Sequence, residues 1–325
     1  MTWLVTGGAG YIGAHVVRAF RADGIGVVAI DDLSNGHREF VLDDVPFVRA
    51  NLLDGAAVRR TVEEHQVTGV VHLAGFKFAG ESVARPLHTY TQNVTAMVTL
   101  LDVLTDLGVR NFVFSGSAGV YGTPQVDLVT EQTPLHPESP YGETKVIGEW
   151  LLADAAVAHD LRYTSLRYFN VVGSSYDDVY DSSPHNLFPK VMKALTDGRT
   201  PQINGDDYPT PDGTPVKDHV HVGDLARAHV TAARALEEGR TLERVYNLGS
   251  GTGASVREIM DAVRRVTGID FTPIIAPRRP GDPARIVASD ALAARDLDWK
   301  NSYTIDEMVA SAWRSWQKRV GAGVS

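Results

Sequence analysis

The stretch Val5-Thr6-Gly7-Gly8-Ala9-Gly10-Tyr11-Ile12-Gly13 decides how this chain reads. It follows a short apolar run, Trp3–Thr6, and opens a helical pattern over Tyr11–Asp23. Gly8, Gly10 and Gly13 satisfy G-x-G-x-x-G, and Gly7 adds a further glycine at the turn. Small residues there permit a tight turn, close approach of backbone N–H groups to a pyrophosphate, and close helix–strand packing. The helix beginning at Tyr11 then aims its positive end at the phosphates. A second apolar run, Gly26–Ile30, leads to Asp31, about 20 residues on, where an acid that binds a ribose is expected. The carboxylates of Asp31 and Asp32 accept hydrogen bonds from ribose hydroxyls and repel a 2′-phosphate. The cofactor expected is therefore NAD, not NADP.

Outward from this motif, strands and helices alternate. Candidate strands are Trp3–Thr6, Gly26–Ile30, Pro46–Arg49, Gly69–Leu73, Asn111–Ser115 and Arg162–Arg167. Helical patterns fall near Tyr11–Asp23, Ala56–Gln66, Thr89–Leu107 and Tyr141–His159. That alternation predicts an α/β fold: a Rossmann-like, doubly wound parallel sheet with helices on both faces. After Asn170 the pattern changes. The segments Gly173–Asn186, Ile203–Lys217 and Pro277–Pro283 read as loops, and helices are expected near Pro189–Asp197, Val222–Glu238, Val256–Thr267 and Thr304–Gln317. An NAD-binding domain over 1–172 and a smaller mixed α/β substrate-binding domain over 173–325 are expected, with some segments of the second part returning to the first.

Composition narrows the function classes. Across 325 residues, 43% are apolar and 22% charged, a globular balance, and the net charge is −9. That charge argues against nucleic acid or an anionic membrane as partner, both of which need a basic face, while a local Arg/Lys pocket can still take an anionic substrate. There is no cysteine, which excludes disulfides, thiolate catalysis and zinc–thiolate sites. His219 and His221 share a strand face without a third ligand, so no metal is expected. No apolar run reaches membrane-spanning length, and no basic and apolar leader precedes the first strand. A cytoplasmic protein is expected.

The chemistry centres on Ser139-Pro140-Tyr141-Gly142-Glu143-Thr144-Lys145. On a helix, Tyr141 and Lys145 share a face. A phenol, with an ordinary pKa of about 10, is a poor base at neutral pH. An adjacent ammonium and a positive nicotinamide ring both favour the phenolate and make Tyr141 a candidate general base. The apolar strand Asn111–Ser115 runs into Gly116-Ser117-Ala118-Gly119, which puts Ser115 and Ser117 at the sheet edge where substrates bind.

Several motifs now stand in one order: the glycine loop; Gly75-Phe76-Lys77-Phe78-Ala79-Gly80-Glu81-Ser82; Arg167-Tyr168-Phe169-Asn170; and Asp207-Tyr208-Pro209-Thr210. Asp218-His219-Val220-His221-Val222, Tyr246-Asn247-Leu248-Gly249 and Ala276-Pro277-Arg278-Arg279-Pro280-Gly281-Asp282 follow. In this the chain resembles, along nearly its whole length, the UDP-glucose (UDP-galactose) 4-epimerases of the extended short-chain dehydrogenase/reductase class. The resemblance implies Ser117, Tyr141 and Lys145 as the catalytic set. It implies NAD contacts or cofactor positioning at Gly7, Gly10, Tyr11, Ile12, Gly13, Asp31, Asn51, Leu52, Leu73, Ala74, Gly75, Lys77, Asn93, Ser115 and Tyr168. A UDP-sugar would be held by Asn170, Asn186, Leu187, Asn204, Lys217, Arg279 and Asp282. Ile286 falls where some members carry a bulky tyrosine beside the sugar. A homodimer through the Thr89–Leu107 and Tyr141–His159 helices is implied in the same way.

The chain departs from the family pattern at Lys217, usually arginine; at Asn204, usually aromatic; at Asn51, usually aspartate; and at Val171, usually proline. The Asp-Glu pair that sugar-nucleotide dehydratases place after the strand-end hydroxyl is here Ala118-Gly119, which disfavours dehydration. The expected reaction is interconversion of UDP-glucose and UDP-galactose through a 4-keto sugar. UDP-xylose/arabinose, UDP-glucuronate and UDP-N-acetylhexosamines stay open as substrates, and an NAD(H)-binding regulator as the non-enzymatic alternative.

Overall fold

The computed structural model describes residues 1–279 and 282–321; Pro280 and Gly281 of the Ala276–Asp282 motif lie outside them. The elements run β1 (Thr2–Thr6), α1 (Tyr11–Ala22), β2 (Gly26–Asp31), β3 (Phe47–Arg49), α2 (Gly55–Glu64), β4 (Gly69–His72), α3 (Ala79–Ala84), α4 (Pro86–Tyr90), α5 (Ala96–Asp106) and β5 (Asn111–Ser115). Then come α6 (Pro140–His159), β6 (Arg162–Tyr168), β7 (Asn170–Val172), α7 (Leu187–Thr196), β8 (Gln202–Asn204), β9 (Val216–Lys217), β10 (His219–His221) and α8 (Val222–Glu237). The chain closes with β11 (Val245–Leu248), β12 (Ala254–Ser255), α9 (Val256–Thr267), β13 (Ile274–Ala276), β14 (Arg285–Ile286), α10 (Ala291–Leu297) and α11 (Ile305–Gly321).

Seven strands form one sheet in the order β11-β6-β5-β4-β1-β2-β3, and β1 to β6 pair in parallel. The order reverses between β1 and β4, the switch point at which doubly wound sheets bind ligands beyond their carboxyl ends. Helices cover the sheet, so its central strands are buried on both faces. That is why β4 and β5 are continuously buried and carry apolar residues at consecutive positions, Val70-Val71 and Phe112-Val113-Phe114. Leu4, Val28, Ile30, Val70 and Phe112 pack with Val58, Leu100, Leu104 and Leu152 from α2, α5 and α6.

The chain divides into two compact units with interleaved segments. One comprises Met1–Gly122, Pro134–Arg167 and Ala226–Tyr246; the other comprises Thr123–Thr133, Tyr168–Leu225 and Asn247–Ser325. The second unit has its own core, in which Val191 and Met192 of α7, Ile259 and Val263 of α9, and Met308 and Trp316 of α11 pack together. Local signals bound α9 at both ends. Ser255 and Glu258 form a reciprocal capping box, and Gly268 closes the helix at φ +69°. Short pairings complete this unit: β7 with β10, β9 with β12 and β14, and β8 with β13.

The periodicity over Thr89–Leu107 predicts one helix, but the structure divides it. Pro86 starts α4, Thr91–Thr95 form a π turn, and α5 begins only at Ala96. A π turn carries an extra residue per turn and re-aims a side chain, which is why such turns gather at functional sites. Here it sends Asn93 inward. The helices α3 and α10 and the short strands of the second unit are further differences from the sequence-based expectation. They are too short to show a period.

Candidate functional site

The first unit carries the glycine cradle. Gly7 turns at φ +70°, and a Cβ there would lie 2.8 Å from the Ala74 backbone nitrogen. A Cβ on Gly13 would lie 2.0 Å from the Gly7 carbonyl oxygen, so the opening turn of α1 can approach the loop only without a side chain. No side chain caps the helix N-terminus at Gly10, which leaves donors facing the loop. Tyr11 is buried and Ile12 half-buried. These features fit a pyrophosphate held by backbone N–H groups.

Asp31 ends β2 and accepts hydrogen bonds from the Ala9 N–H at 3.1 Å and the Leu33 N–H at 2.8 Å. Burial pushes its carboxyl up against the pull of those donors. Burial acts the same way on neighbouring Asp32, but hydrogen bonds from Ser34 and Asn51 outweigh it and leave that carboxyl below its ordinary value. Asn51 donates to Asp32 at 2.7 Å and to Gln92 at 3.1 Å, and Leu52 beside it is buried.

The loop after β4 is held by a group that sequence reading passed over. Thr6 Oγ1 accepts from the Leu73 and Ala74 N–H groups, both at 3.2 Å, and so donates its own proton to His72 Nδ1 at 2.8 Å. His72 must be neutral to accept it. Burial, aided by the Lys145 charge, lowers its pKa to about 3. Asn93 clamps the next residues: its amide accepts from the Phe76 N–H at 2.6 Å and donates to the Phe76 carbonyl at 3.0 Å and the Thr144 hydroxyl at 2.9 Å. Asn93 thus ties the Gly75–Phe76 loop to α6, while Gly75 and Lys77 stay exposed.

Tyr141 and Lys145 share a face of α6, which Ser139 caps and Pro140 opens. The Lys145 side chain is buried, and its Nζ donates to the Ser115 carbonyl at 2.8 Å. That ammonium lies 4.8 Å from the Phe114 ring centre and 5.8 Å from that of Tyr141. Burial lowers its pKa to about 8, with Glu149 opposing. The Ser115 hydroxyl is hydrogen-bonded to His229 Nε2 at 2.9 Å. Ser117 accepts from the Gly119 N–H at 3.1 Å, and its hydroxyl acts on the Tyr141 phenol, whose pKa it lowers. Burial raises the phenol pKa, and the Ser117 hydroxyl only partly offsets it. The protein alone therefore does not prepare a phenolate.

In the second unit, pairing of β9 with β14 places Ile286 opposite Lys217. Lys217 Nζ donates to Asp282 at 2.5 Å and to the Pro283 carbonyl at 2.8 Å, and Ile286 is 9% exposed. Burial lowers the Lys217 pKa, Asp282 opposes that, and the charge of exposed Arg279 adds to the lowering. Lys190, in α7, also feels Arg279 after burial. It is a third cation that the motifs did not single out.

Asn170, Asn186 and Asn204, the remaining polar residues expected at the substrate, each have a hydrogen-bond partner in the second unit. Asn170 opens β7 and donates to the Asp218 carbonyl at 2.9 Å. Asn186 precedes α7 and donates to Asp181 at 2.8 Å, and Leu187 is half-buried. Asn204 accepts from Gln202 at 2.7 Å, and Tyr168 closes β6 half-buried. Buried Asp218 is a brace, accepting from the Ser250 N–H at 2.7 Å and the Ala288 N–H at 2.9 Å.

Comparison with known proteins gives a consistent result. Residues 3–249 match the NAD dependent epimerase/dehydratase family. A UDP-glucose 4-epimerase of Lactobacillus helveticus is 41% identical over 323 residues, covering 98% of this chain and 97% of that protein. A crystal structure of a UDP-glucose 4-epimerase superposes with a TM-score of 0.95 at 38% identity, covering 98% of both chains. The UDP-glucose-4-epimerase of Stenotrophomonas maltophila, solved with bound NAD and formylated UDP-arabinopyranose, superposes with a TM-score of 0.93 at 37% identity over 99% of both chains.

Proposed function

The chain belongs to the NAD dependent epimerase/dehydratase family, and from that premise we propose that it interconverts UDP-glucose and UDP-galactose with NAD as its cofactor. The observation that carries this reading is the convergence of Ser117 and Tyr141, both against Gly119, with buried Lys145 at the end of β5. When bound, NAD supplies the acceptor and then the donor of one hydride, and its oxidised ring carries a positive charge that favours a phenolate at Tyr141.

Tyr141 takes the proton of the sugar 4-hydroxyl and Ser117 orients that hydroxyl. Lys145, fixed by the Ser115 carbonyl, keeps a positive charge beside the phenol. With NAD bound as acceptor and then donor, C4 would be oxidised to a 4-keto sugar and reduced again on its other face, and Tyr141 would give the proton back. No net oxidation results. Gly7, Gly10 and Gly13 would cradle the pyrophosphate, Asp31 would take the ribose hydroxyls, and Asn93 would position the loop beside the cofactor. Lys217, Arg279 and Asp282 are assigned to the UDP moiety. The Lys217–Asp282 pair is partly exposed, so each group can exchange its partner for a phosphate or a ribose hydroxyl.

Tyr141→Phe should keep NAD and UDP-sugar binding yet lose ~10²–10⁴-fold in kcat, as for removal of a general base. Epimerisation followed by NMR on UDP-galactose checks this, and a variant turning over at the parental rate would refute the assignment. A cytoplasmic homodimer belongs to the same proposal. The dimer is supported by the apolar side chains that α5 and α6 leave exposed.

A further inference from the structure

Arg167 on β6, Glu149 on α6 and Tyr121 after the Ser117 turn form one buried polar cluster. All three are nearly inaccessible, at 4%, 8% and 1% exposure. The Arg167 guanidinium grips both Glu149 oxygens, from Nε at 2.8 Å and Nη2 at 2.5 Å. Its remaining arm, Nη1, donates to the Tyr121 hydroxyl at 2.8 Å. Ser165 also donates to Glu149, at 2.9 Å.

We propose that Arg167 is a positioning residue which, through Glu149 and Tyr121, holds the Ser117 turn in register with the helix that carries Tyr141 and Lys145. The proposal rests on reading Ser117, Tyr141 and Lys145 as the catalytic set. Glu149 lies one turn beyond Lys145 and two beyond Tyr141 on the same face of α6. Tyr121 lies four residues after Ser117, at the end of the single 3₁₀ turn that Ser117 caps. Arg167 stands on β6, which is paired with the strand leading to Ser117. One rigid, planar fork on a sheet strand therefore fixes the helix with two arms and the turn with the third.

The helix and the turn meet closely. A Cβ on Gly142 would lie 2.6 Å from the Gly119 carbonyl oxygen, and one on Gly119 would lie 3.7 Å from the Tyr141 ring. A small slip of the turn would separate the Ser117 hydroxyl from the phenol. Stability does not account for the cluster, since buried ion pairs are commonly replaced by apolar residues at no loss. Placement accounts for it: a misplacement of about 1 Å at reacting groups lowers rates about 10²-fold.

The test compares holoenzyme variants by kcat, KM and melting temperature on UDP-galactose. Tyr121→Phe removes one hydroxyl and should lower kcat about tenfold, with KM held within about twofold. Arg167→Lys loses the fork and should lower kcat about 10²-fold. The double variant Glu149→Met with Arg167→Met guards against simple misfolding. It should stay folded, with its melting temperature lowered only by the Ser165 and Tyr121 hydroxyls left without these partners, yet lose kcat to the same extent as Arg167→Lys. Parental kcat in Tyr121→Phe and in the folded double variant, with Tyr141→Phe inactive, would overturn the proposal and leave the cluster as scaffold. An active Tyr141→Phe would instead overturn the underlying catalytic assignment.

Discussion

Ile286 shows how much one side chain can decide. It lies 9% exposed on β14, with Lys217 as its register partner on β9, so a change there acts beside the ion pair assigned to the nucleotide. Isoleucine is shorter than the tyrosine that some relatives carry at this point and has no hydroxyl. With Ile286 assigned to the wall beside the sugar 2-position, as proposed, that wall would retreat without opening fully. UDP-glucose and UDP-galactose should be preferred, with weak turnover of the N-acetyl sugars. Ile286→Gly should raise kcat/KM for the N-acetyl pair relative to the plain pair, by the ~10–200-fold that a small change of apolar pocket volume brings. Measuring both pairs in both proteins decides it, and an unchanged ratio would show that Ile286 does not line the pocket.

Among the elements, α6 serves two purposes with two faces. Tyr141, Lys145 and Glu149 follow each other at four-residue steps toward the interior. Trp150 and Val157, seven residues apart and so on one stripe, are 62% and 85% exposed, and Val98 on α5 is 38% exposed. Exposed large apolar side chains of this kind are what the proposed dimer interface would bury. Trp150→Glu would bury a charge at that surface without touching the catalytic face. It should convert a dimer to a monomer in light scattering while the far-UV spectrum is unchanged; a parental mass would exclude this face as the interface. The π turn at Thr91–Thr95 is the other element with a consequence, because it turns Asn93 toward Phe76 and Thr144. Its side chain makes three hydrogen bonds that a regular helix would have aimed elsewhere.

For the molecule as a whole, two buried histidines contribute to the response to acid. His72 and His219 are held down to about 3 and about 4, each first by burial, against an ordinary value of 6.5. Between those limits the unfolded chain binds protons that the folded chain refuses. Their contribution is thus present above pH 6.5 and is lost as pH falls toward the folded values, at up to about 1.4 kcal/mol per pH unit for each histidine. Urea unfolding at steps from pH 7.5 to 5 should show stability falling below 6.5, and less steeply in His72→Gln with His219→Gln; parallel profiles would contradict this. Neither histidine announces itself in the sequence as buried. What the sequence determined by itself rests on covalent spacing: the glycine turn with Asp31 beyond it, Tyr141 and Lys145 one helical turn apart, the Ser255–Glu258 box and Gly268 at the ends of α9, and the β-branched runs of the sheet. Those signals are local, and neighbouring residues suffice to produce them. Only the tertiary structure decided that Thr6 would hold His72, that Arg167 would join Glu149 to Tyr121, and that Ala226–Tyr246 would return to the first unit. Which polar groups lose water, and which partners then satisfy them, depends on segments far apart in the chain packing against one another.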